Sequence, residues 1–324
     1  MFTRPLAELR SADEAGFGGK SASLGELIAG GIPVPPGFAL SADAYRHVLA
    51  EAGLAPDADA DAVLSALRGR PVPDGVRDEV AAAYEALGDE PPVAVRSSAI
   101  GEDSAEATFA GQQETYLWVR GADAVCEAVR DCWASLHGAP ATSYREHLGR
   151  AGEAPAMGVA VQVMVDAAVS GVMFTCNPVS GDPSTIAVNA SWGLGLAVVG
   201  GEVTPDEYRL SKVTGEPLHR TVSSKEVQYV PGSGGAVRVE VPDEQREEPC
   251  LDDVQLEALV EVGRRVERHF GSPQDIEWAI TPEGDLFLLQ SRPVTTRRAP
   301  GAAPPRSAMD LVMDTFGARR AQGS

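Results

Sequence analysis

The sequence predicts an α/β chain of the α+β kind, with mixed and antiparallel sheets, on three observations. In its first part, segments with apolar residues at helical spacing are punctuated by glycine and proline and alternate with short strands. From Gly158 the spacing changes to the period of two expected of a half-buried strand. Near the C-terminus, Asp275 to Thr281 and Leu286 to Arg292 flank Pro282-Glu283-Gly284-Asp285, the pattern of a hairpin. With 44% hydrophobic and 23% charged residues over 324 positions, the chain can bury one large core or two modest ones.

The elements follow in order. Gly16, Gly18 and Gly19 form a loop before a helix marked by Leu24, Leu27 and Ile28, with Ser21 or Ser23 as its expected cap. The turn-rich Gly30 to Gly37 leads into a short strand, Phe38 to Leu40, and a helix that Ser41 caps and Gly53 ends. Between Pro56 and Pro92, apolar positions in an Ala- and Asp-rich stretch predict surface helices, and Pro91-Pro92 precedes the strand Val93-Ala94-Val95. Val159, Val161, Val163 and Val165 then alternate with Ala160, Gln162, Met164 and Asp166, giving one aliphatic face and one mixed. Strands over 170–176 and 185–190, a helix from about Val254 to Phe270 ended by Gly271, and the hairpin complete the order. After Arg298 the Ala, Pro and Gly content reads as linker and tail.

Composition narrows the function. A net charge of −20 repels nucleic acid and anionic membranes, so an anionic ligand requires a local group of basic side chains and backbone amides. No apolar run approaches a membrane span. Cys126, Cys132, Cys176 and Cys250 form no C-x-x-C pair, which points to a reducing, cytoplasmic setting, with Cys126 and Cys132 packing a helix rather than holding zinc.

The hairpin carries the most chemistry. With its turn centred between Glu283 and Gly284, Glu277 lies opposite Gln290 and Asp275 opposite Arg292. Alternation then places Ile276, Trp278, Ile280, Phe287 and Leu289 in the core and Asp275, Glu277, Gln290 and Arg292 on the other face. Carboxylate and amide oxygens suit magnesium, held by Glu277 and Gln290, and a guanidinium forks onto phosphate oxygens. The same residues also suit a solvated sheet face with a cross-strand ion pair, and the hairpin alone leaves both readings open.

Three further segments bear on that choice. Arg96 ends a strand and is followed by Ser97-Ser98 and a small-residue loop reaching Thr108, Gly111 and Gln112, where backbone amides can approach phosphates. Lys20 follows Gly18-Gly19, and Gln162 with Met164 offers amide and apolar contacts to a base. A Walker A loop is excluded because Glu14 stands where its first glycine belongs, and Gly193-Leu194-Gly195 lacks the third glycine of a dinucleotide fingerprint while still suggesting close backbone approach.

These segments, taken with Gly31-Ile32-Pro33-Val34-Pro35-Pro36-Gly37-Phe38, Phe109-Ala110-Gly111-Gln112, Gly171-Val172-Met173-Phe174, Asn177-Pro178, Pro205-Asp206 and Gln290-Ser291-Arg292-Pro293, occur in a recognisable order over residues 14 to 296. The chain resembles the N-terminal ATP-binding domain of the phosphoenolpyruvate synthase, pyruvate phosphate dikinase and rifampicin phosphotransferase family. The resemblance implies an ATP-grasp fold, two lobes clamping magnesium-ATP, here expected over residues 1–115 and 116–296 with a tail at 297–324. It implies that Lys20 and Arg96 contact phosphates, that Glu277 and Gln290 hold Mg2+, and that Arg292 meets the phosphoryl group in flight. It further implies transfer of the β-phosphate to a histidine, with AMP and phosphate released. None of His47, His137, His147, His219 and His269 lies in a Thr-Ser-His setting, so that histidine is expected on a separate partner, which would also choose the final small-molecule acceptor. Leu196 stands where relatives usually carry Glu. A nucleotide-binding module without turnover, or a direct kinase of a small molecule, is the alternative.

Overall fold

A computed structural model describes residues 1–55, 58–100, 114–138, 156–232 and 235–294, which fold as two compact units. The first comprises residues 1–28 and 35–164, the second residues 29–34 and 165 onward.

The first unit is built on a five-stranded sheet. It contains β1 (Thr3–Pro5), β2 (Gly37–Leu40), β3 (Val93–Ala99), β4 (Thr115–Val119) and β5 (Met157–Val163), in the order β1-β2-β5-β3-β4 with every pair antiparallel. Its helices are α1 (Glu14–Phe17), α2 (Gly19–Ala29), α3 (Ala42–Glu51), α4 (Ala60–Gly69), α5 (Asp74–Glu85) and α6 (Ala122–Ser135). The expected valine alternation holds for Val159 and Val161 of β5, which are buried in one core with Val93 and Val95 of β3, Tyr45, Val80 and Trp133; β5 ends at half-buried Val163, and Val165 falls in the second unit. The 56–92 helices are more than surface elements, since Val63, Leu67, Val76 and Tyr84 enter that core. Cys126 and Cys132 are buried on α6, as their spacing suggested. The lobe break expected at 115/116 falls inside this sheet, because β4 and β5 both pair with β3 and extend the unit to Met164.

The second unit carries a six-stranded antiparallel sheet. Its members are β6 (Val169–Phe174), β7 (Thr185–Trp192), β8 (Asp206–Ser211), β9 (Pro217–Thr221), β12 (Gln274–Ile280) and β13 (Leu286–Pro293), in the order β13-β12-β6-β7-β8-β9. A short helix α7 (Leu196–Val199) and the hairpin β10 (Val227–Gly232) and β11 (Gly235–Glu240) precede α8 (Asp253–Phe270). The long helix begins at a capping box between Asp252 and Gln255 and ends at left-handed Gly271, the stop its sequence signalled. Gly263 of α8 approaches Met173 and Ile186, so the helix covers the sheet face opposite to Glu277. The expected tail at 297–324 lies outside the described residues.

Candidate functional site

In the second unit, β12 and β13 pair Asp275 with Arg292 and Glu277 with Gln290, the register argued from the sequence. The four side chains therefore share one face of the sheet. That face is partly withdrawn from solvent, because Asp275 and Gln290 are buried while Glu277 and Arg292 are half-buried. Arg292 donates from Nε to Asp275 Oδ2 at 3.0 Å. Burial pushes the Asp275 carboxyl above its ordinary value, with Arg292 pulling the other way and Glu277 adding to the rise. Beyond Glu277 the row meets an apolar wall, Val172 and Phe174 of β6, which pack with Ala197 and Val198 of α7.

The core side of the hairpin differs from expectation. A bulge after Glu277 shifts the register by one, so that Trp278 faces Leu288 and Ala279 faces Phe287. Leu288 is consequently the buried residue, and Phe287 and Leu289, expected in the core, are only half-buried. Ile276, Trp278 and Ile280 are buried as expected.

In the first unit the register of β3 with β5 puts Arg96 opposite Ala160 and Ala94 opposite Gln162. Arg96, Ser98 and Gln162 thus lie on the face away from the valine core. Lys20 comes to the same strand from α2: its Nζ donates to the Ser97 carbonyl at 3.1 Å. Gly18 makes this approach possible, with φ of 81° and no space for a Cβ beside the backbone oxygen and hydroxyl of Ser98. Gln162 is buried, and among the described residues its Nε2 has no hydrogen-bond partner. Met164 is half-buried two residues further along. A cationic end formed by Lys20 and Arg96, with an amide donor and a thioether on the same face, fits a nucleoside polyphosphate.

Thr108, Gly111 and Gln112 lie outside the described residues. The site residues thus fall into two sets, Lys20, Arg96, Gln162 and Met164 in one unit and Glu277, Gln290 and Arg292 in the other. The helix cap differs from expectation, since α2 starts at Gly19 and Ser21 is its third residue. Gly193 does show the close approach its sequence suggested, but to β10, where the Tyr229 carbonyl accepts from Leu194 N at 2.8 Å and fills the space a Cβ would need. Leu196 opens α7 and is half-buried. Among the described residues no helix is long and apolar enough to cross a membrane, and no cluster of three or more His, Cys, Asp or Glu side chains is placed to bind a metal.

The sequence pattern of the family described as pyruvate phosphate dikinase, AMP/ATP-binding domain, matches residues 14–310. The chain is 43% identical over 311 residues to a probable phosphoenolpyruvate synthase of Methanothermobacter thermautotrophicus, covering 89% of this chain and 45% of that protein. It is 38% identical over 364 residues to phosphoenolpyruvate synthase of Pyrococcus furiosus, covering 93% of this chain and 45% of that protein. A rifampicin phosphotransferase from a Streptomyces species is 42% identical over 319 residues, with 91% of this chain and 36% of that protein covered. The chain therefore spans less than half the length of these curated relatives.

Proposed function

Because the chain belongs to the pyruvate phosphate dikinase AMP/ATP-binding domain family, we propose that it is an ATP-grasp protein that binds magnesium-ATP and passes the β-phosphate to a histidine on a separate partner domain, releasing AMP and phosphate. The observation that carries this reading is the buried row on β12 and β13, where Glu277 faces Gln290 and Arg292 is held by Asp275.

The residues present fit the metal and the nucleotide. Glu277 and Gln290 offer hard oxygen donors for magnesium, and the ion, when bound, neutralises phosphate charge. Asp275 fixes the guanidinium of Arg292 from one side, which aims its remaining N–H groups and lowers the entropy lost when they meet a phosphoryl group. Within the first unit, Lys20 and Arg96 offer positive charge suited to phosphate oxygens. The buried Nε2 of Gln162 is a donor suited to an adenine ring nitrogen. In transfer, a histidine nitrogen attacks the β-phosphorus, the bond from that phosphorus to the α–β bridging oxygen breaks and AMP leaves. Water then attacks the γ-phosphorus, the bond from the γ-phosphorus to the β–γ bridging oxygen breaks, and inorganic phosphate departs, leaving a phosphohistidine.

Among the described residues, His137 is buried against the Tyr45 hydroxyl at 2.7 Å, His47 packs on Phe2, His219 meets Thr221, and His269 packs edge-on to Phe270, while His147 lies outside the described residues. The test is incubation with magnesium, ATP labelled at the β-phosphate and a partner carrying a Thr-Ser-His segment. Acid-labile label on the partner together with AMP is expected. ADP as the sole nucleotide product would instead make the chain a direct kinase, and bound ATP with no product a regulatory module.

A further inference from the structure

We infer that Ser98 is a positioning residue for Lys20, acting as a cap on α2 that is supplied from another strand; this rests on the nucleotide reading above.

The first-turn amides of a helix have no partner within it, and a side chain just before the helix normally accepts one of them. Here that position is Gly18, which has no side chain and, being pressed against Ser98, has no space for one. The missing acceptor comes from 77 residues away: Ser21 N, the third amide of α2, donates to Ser98 Oγ at 3.2 Å. Ser98 and Ser21 are both buried. Two residues before Ser98 on the same strand and face is Arg96, and between them the Ser97 carbonyl accepts from Lys20 Nζ.

One short stretch of β3 therefore fixes both cations proposed to meet the polyphosphate. The capping bond registers the start of α2 on β3, and the Lys20 side chain leaves from the residue next to that bond. Without the hydroxyl, Ser21 N loses its acceptor and the first turn of α2 can drift, taking Lys20 with it while leaving Arg96 in place. The remainder of α2 is held independently, since Leu24 and Leu27 are buried. Ser98 touches no phosphate in this account; it acts through Lys20.

A double-mutant cycle tests this by calorimetry with magnesium-ATP on the full chain, using Ser98→Ala, Lys20→Met and both together. Ser98→Ala is expected to weaken ATP binding about 5- to 10-fold, and to add nothing in the Lys20→Met background, since Lys20 is already gone. Melting curves of all four proteins run alongside, because a merely structural serine lowers the midpoint equally in both backgrounds without this loss of coupling. ATP affinity unchanged in Ser98→Ala, or lost by the same factor with and without Lys20, overturns the inference while the nucleotide reading stands. A wild-type chain that binds no ATP overturns both.

Discussion

Two carboxylate–cation pairs in the second unit, similar on paper, are built in opposite ways. Asp206 of β8 and Lys225 lie 2.6 Å apart with both side chains fully excluded from solvent. The Asp206 oxygens also accept from Ser223 N, Cys250 N and the Tyr208 hydroxyl, and Lys225 Nζ donates to the Ser223 carbonyl. Asp275 and Arg292 keep a wider geometry, 3.0 Å, with 24% of the Arg292 side chain exposed. A pair whose oxygens are occupied from several sides by its own fold is a fastener. A pair whose cation still reaches solvent can exchange part of its environment for a ligand. We propose that exposure of the cation, rather than the presence of the ion pair, separates architecture from chemistry here.

The largest effect expected from breaking this comparison is on stability. Lys225→Met leaves Asp206 charged and buried without its cation, which costs about 3 to 5 kcal/mol. Urea unfolding should show a midpoint shift of that order, and ATP affinity of the protein that remains folded should be unchanged. Intact stability with lost ATP binding would reverse the roles assigned to the two pairs.

Arg292→Lys is the sharper contrast. It keeps a cation beside buried Asp275 but removes the planar fork, so stability should change by less than about 1 kcal/mol. Transfer of labelled β-phosphate should fall about 100- to 1000-fold, the usual loss when one donor to a developing charge is removed. Equal loss of stability and transfer would place Arg292 with the fasteners.

The two pairs also differ in how legible they were. Asp275 and Arg292 could be set opposite each other because Pro282-Glu283-Gly284-Asp285 marks a turn and parity does the rest. Asp206 and Lys225 are joined through a connector with no periodic pattern, and of their network only Pro205-Asp206 stood out, as a motif with no role attached. Local signals likewise gave the long helix, the valine strand and the position of Gln162, whose side is fixed by alternation. They could not give the cap of α2, because its acceptor lies in a distant strand and Ser21, the nearer choice, is inside the helix. The extent of the first unit is hard to read from sequence for a related reason, since which strands join β3 is decided by pairing across many residues.

The smallest expected effect concerns the bulge that separates the chemical half of the hairpin from its structural half. Leu286, Phe287, Leu288 and Leu289 are apolar in succession, so hydrophobicity offers no check on the alternation counted from the turn, which places Leu289 in the core. The bulge decides otherwise: Leu288 faces Trp278 and is buried, its amide donating to the Pro33 carbonyl at 2.8 Å, while Leu289 is the extra residue between the two registers. Leu288→Ala should therefore cost about 2 to 4 kcal/mol by opening a cavity against Trp278. Leu289→Ala should cost less than about 1.5 kcal/mol, because less of its surface is withdrawn from water. Neither change reaches Glu277 or Gln290, so magnesium-ATP affinity should hold in both. Unfolding curves in which the two leucines cost the same would mean that the bulge does not decide which leucine enters the core.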